Sequence, residues 1–91
     1  MHMDAQRLLL TYRLACMSGG DAYARTRGVF SRWCSWKYKR VPESARMGFA
    51  LSARAAFVAF HESIQYNRGR IACDEASVNR HIDCLVKYAT R

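Results

Sequence analysis

MGFALSARAAFVAF, residues 47–60, decides the fold, because fourteen residues pass with a single charge, Arg54. Wound at 3.6 residues per turn, Phe49, Ala53, Ala56, Phe57, Phe60 and Ile64 form a broad apolar face. A second stripe is all small: Gly48, Ser52, Ala55, Ala59 and Ser63. Met47, Leu51 and Val58 make a third edge. A helix apolar on most of its circumference is expected to be surrounded, and small residues let a neighbour approach closely. The pattern predicts a long helix over 42–67, opened by Pro42, closed by Gly69, and central to the fold. Arg54 and the shortness of the run exclude a membrane span.

Three more helices follow from the same periodicity. Asp4 caps a helix over 4–17 whose inner face is Ala5, Leu8, Leu9, Tyr12 and Cys16. Ser18-Gly19-Gly20-Asp21 ends it and caps the next, over 21–39, with Ala22, Val29, Phe30 and Trp33 inward. Gly28 is a point where that helix could break. Asp74 caps a helix over 74–89 with Val78, Ile82 and Leu85 inward and Asp83 and Lys87 four apart. No period-two alternation is sustained, so no strand is expected. The reading is an all-α, compact bundle of four helices in one domain, residues 1–91.

The first helix has more apolar surface than one contact needs. Leu10, Leu14 and Met17 lie at i, i+4, i+7, away from the main face. This seam is expected either to pack on the fourth helix or to form a homodimer interface.

Charge is uneven. The chain has 15 Lys and Arg against 7 Asp and Glu, a net of +8. Six of those cations, and no acid, fall within RTRGVFSRWCSWKYKR, residues 25–40. On a helix Arg25, Arg32 and Lys39 recur every seven residues and stack on one stripe, joined by Gly28 and Trp36, while Phe30 and Trp33 point to the core. Such a ridge neutralises phosphates and releases counterions, and an exposed indole can stack on an unpaired base. The expected function is non-catalytic nucleic-acid binding. Arg25, Arg32, Lys39 and Arg40 would contact phosphate, Arg27 and Lys37 would flank, and Trp36 would stack. The alternative is a small protein-binding regulator or inhibitor, of the phage or plasmid accessory type, whose ridge docks on an acidic surface of a larger host complex. A helix-turn-helix variant would aim Tyr23, Arg25, Thr26 and Arg27 into a groove.

Catalytic patterns fail. His61-Glu62 begins an HExxH motif, but Gln65 stands where the second histidine belongs. Cys34 sits between Arg32 and Lys37, which would favour a thiolate, yet it flanks the apolar face, where burial is expected. Cys73, His81 and Cys84, with His61 or Cys34, could supply four zinc ligands, but in no zinc-binding spacing. No enzyme activity, metal or cofactor is therefore expected. Four cysteines without a visible secretory signal fit a reduced, cytoplasmic protein.

Overall fold

The computed structural model describes residues 2–89. It contains four α-helices: α1 (Ala5–Met17), α2 (Ala22–Tyr38), α3 (Arg46–Ser63) and α4 (Glu75–Ala89). A short 3-10 turn (Glu43–Ala45) precedes α3, and an antiparallel hairpin of β1 (Gln65–Asn67) and β2 (Arg70–Ala72) joins α3 to α4.

The helix ends follow their capping residues. Asp4 accepts from Arg7 N at 2.9 Å, Asp21 from Ala24 N at 3.1 Å and Asp74 from Ser77 N at 3.2 Å. Each satisfies one donor that the first turn leaves without an intrahelical partner. At the end of α1, Gly20 N donates to Ala15 O and Gly19 N to Cys16 O, with Gly19 at φ +76°. That is a Schellman close, and it needs the left-handed conformation glycine adopts without penalty. Gly28 leaves α2 unbroken.

The helix expected over 42–67 is shorter at both ends. Pro42 caps the 3-10 turn rather than opening α3. The helix stops at Ser63 because the next residues form the unexpected hairpin, in which Tyr66 pairs with Ile71. Its two-residue turn is Arg68-Gly69, with both at positive φ, 55° and 78°. Such a turn matches strand twist but is normally written Asn-Gly, so the sequence carried little sign of it. Arg13 fixes the hairpin on α1, its Nε and Nη2 donating to Ile71 O at 2.9 and 2.6 Å.

The packing is a helical bundle in which α3 lies most extensively on α4, and α1 on α2. Phe57 lies 5.8 Å from Phe30 and 5.9 Å from Phe60, so α2 and α3 meet through rings. Leu8, Val78, Ile82 and Leu85 complete the buried centre. The small stripe on α3 does admit a close neighbour: a Cβ on Gly48 would stand 2.9 Å from the Tyr88 ring. α3 is not enclosed on every side, however. Met47 and Leu51, 77% and 63% exposed, and Val58 face outward, because three short neighbours cannot cover its whole circumference. Among the described residues, no helix is long and apolar enough to cross a membrane.

Candidate nucleic-acid interface

α2 is amphipathic in a way that sorts its charges. Ala22, Thr26, Phe30 and Trp33 are buried, and Val29 is half-buried. Those positions fix the helix's rotation and therefore where every other side chain points. Arg25, Arg32 and Lys39 come out on one flank, all exposed, with Trp36 between the last two. At 1.5 Å per residue the row from Arg25 to Lys39 is about 21 Å long, about six base steps of one DNA strand.

The row ends in a cation–aromatic cluster. Trp36 is 45% exposed. Arg40 Cζ lies 4.8 Å from its ring centroid, and Lys37 Nζ lies 5.4 Å from it and 5.8 Å from the Trp33 ring. The indole thus holds two cations by its quadrupole, which orders long side chains that solvent alone would leave free. At the other end Arg25 turns back over the α1–α2 connection, Nη1 3.5 Å from Ser18 Oγ.

None of the six cations of 25–40 has a carboxylate within 4.0 Å among the described residues. With no acid in the segment and none brought to it by folding, their charge faces solvent unneutralised.

The structure separates residues that the sequence grouped. Arg27 emerges on the opposite flank of α2, where its Cζ lies 5.8 Å from the Tyr23 ring. Thr26 is 0% exposed and donates to Ala22 O at 2.7 Å, so it cannot reach a nucleic-acid groove as the helix-turn-helix variant required. Arg46 was not singled out in the sequence, yet its Cζ lies 5.3 Å from the Tyr38 ring. It follows the basic segment after one turn and begins α3, which was the available signal.

Other candidates have ordinary surroundings. Burial pushes the Cys34 thiol up to about 12, the opposite of what a nucleophile needs. His81 Nδ1 lies 2.8 Å from Ser77 O, and Cys84 is exposed. Among the described residues no three His, Cys, Asp or Glu side chains converge as metal ligands. The seam of Leu10, Leu14 and Met17 does not pack on α4; all three side chains are exposed. No family model, curated protein or solved structure matches this chain.

Proposed function

We propose that this chain is a non-catalytic nucleic-acid-binding protein that acts in the cytoplasm through the α2 ridge. The observation supporting the reading is the row of exposed, acid-free cations on one flank. Arg25, Arg32, Lys39 and Arg40 contact successive phosphates, and Lys37 adds charge beside Trp36. Trp36 orders the cations around it and offers its remaining exposed surface to a base. The proposed contacts are to phosphates, so the binding is of the backbone kind and tolerant of sequence.

The proposal extends to self-association through Leu10, Leu14 and Met17, for which light scattering is expected to give the mass of two chains. A single-chain mass at every concentration removes that part alone.

The test is charge reversal. Arg25→Glu with Arg32→Glu is expected to weaken binding to unrelated oligonucleotides alike, by tenfold or more. If oligonucleotides bind no better than background while an acidic protein surface is captured through the same two arginines, the ridge is a protein-docking element instead.

A further inference from the structure

The opposite flank of α2 bounds a groove that meets the ridge only at Lys39. Between α2 and α3 lie two adjoining recesses of about 470 Å³ each. Ser31, Cys34 and Ala53 line both, so the recesses form one trough. Its floor is apolar: Phe30 and Phe57 under one half and Phe49 under the other, where exposed Ala50 forms part of the wall. From Tyr23 at one end to Tyr38 at the other it runs about 22 Å along α2, enough for a helical segment of about 15 residues.

The rim has one sign of charge. Arg27 and Arg54 flank the first recess and Lys39 the second, while no Asp or Glu lines either. Neither arginine has a carboxylate within 4.0 Å among the described residues. Val58 borders the first recess, and α3 also carries the exposed Met47 and Leu51. An apolar trough between cationic rims, extended by an apolar shoulder, is the complement of a helix with an apolar face and acidic flanks.

Two other occupants fit less well. A nucleic-acid strand needs free ring faces for stacking. The two rings at the trough's ends are engaged by other rings, Tyr23 by Phe57 and His61 and Tyr38 by Phe49, whereas Trp36, in the ridge, has no ring partner among the described residues. A second copy of this chain could offer the exposed stripe of α1, but Arg7 and Arg13 accompany Leu10, Leu14 and Met17 on that side. Those cations would meet the cationic rim.

The geometry points to the α2–α3 trough as a docking site for an acidic amphipathic helix of a partner protein, centred on the flank of Arg27 and Arg54 and sharing only Lys39 with the ridge.

The experiment is a selection from a displayed library of random 16-residue peptides on the full chain. Enriched peptides are expected to be apolar at i, i+3 or i+4 and i+7, with Glu or Asp flanking. Arg27→Glu with Arg54→Glu is expected to weaken the best peptide at least tenfold, and Ala53→Glu to do the same by filling the trough. Arg25→Glu with Arg32→Glu, an equal change in net charge on the other flank, is expected to leave affinity within twofold. Both double variants change only exposed side chains, so folding is retained and is checked by circular dichroism. The proposal is overturned by enrichment of no peptide or of peptides without acids, or by equal losses in the two double variants. It also fails if an oligonucleotide still displaces the peptide from the Arg25→Glu, Arg32→Glu variant, or if dimerisation of this chain is abolished by Arg27→Glu with Arg54→Glu.

Discussion

The Arg40 guanidinium lies 4.8 Å from the centroid of the Trp36 indole, just past the C-terminal end of α2. The ring gives the two cations beside it a fixed place, and the cations in turn cover part of a ring that is still 45% exposed.

Removing that ring separates ordering from charge. Trp36→Ala keeps all six cations but frees Arg40 and leaves Lys37 only the Trp33 ring, and is expected to weaken oligonucleotide binding about threefold to tenfold, as cation–π and base-stacking contributions suggest. Trp36→Phe keeps a ring and is expected to retain most of the affinity. Trp36→Phe also leaves Trp33, 3% exposed, as the sole tryptophan. Quenching of fluorescence by bound oligonucleotide should then disappear. Persistent quenching in that variant means that binding reaches the core rather than the ridge.

Two glycines on different helices make a matched pair. At Gly28 an added Cβ meets nothing within 4 Å, and Gly28→Ala is expected to stabilise the protein by about 1 kcal/mol through helix propensity. At Gly48 the same methyl meets the Tyr88 ring at 2.9 Å. There the overpacking outweighs the propensity gain, and Gly48→Ala is expected to cost about 1 kcal/mol net. Urea titrations of the two variants check both signs. If Gly28→Ala also weakens oligonucleotide binding, the gap in the ridge admits a strand's backbone.

Cys34 makes stability depend on pH at the alkaline end. Its thiol is pushed up to about 12 by burial, from an ordinary value of 9.0. Between those values the unfolded chain loses the thiol proton while the folded chain keeps it. The contribution is therefore complete below about pH 9 and is lost as pH rises toward about 12. Unfolding midpoints are expected to fall over that range, and Cys34→Ala to flatten the fall. At pH 8, alkylation of the exposed Cys16 and Cys84 should outpace Cys34 by well over tenfold.

Sequence periodicity located four helices because their inward residues recur every three or four positions and their caps are strong. Asp4, Asp21 and Asp74 all cap where expected. The hairpin escaped because three-residue strands are too short to display alternation, and Arg68-Gly69 is a rare way to write its turn. The enclosure of α3 was overread, since periodicity reveals which residues are apolar but not how many neighbours exist to cover them. Met47 and Leu51 are the result. The ridge was legible because Phe30 and Trp33 fix the rotation of α2, which sets Arg25, Arg32 and Lys39 outward. The trough was not, because it is lined by residues of two helices at once, a property of their packing rather than of either segment.

The dependence of oligonucleotide affinity on salt addresses the ridge most directly. With about five phosphates contacted on duplex DNA, log K is expected to fall linearly against log salt with a slope of about −4 to −5. Arg32→Glu should make that slope shallower by about one or more, to the same extent for every sequence tried. A slope near zero, or one that Arg32→Glu leaves unchanged, contradicts phosphate binding by the α2 ridge.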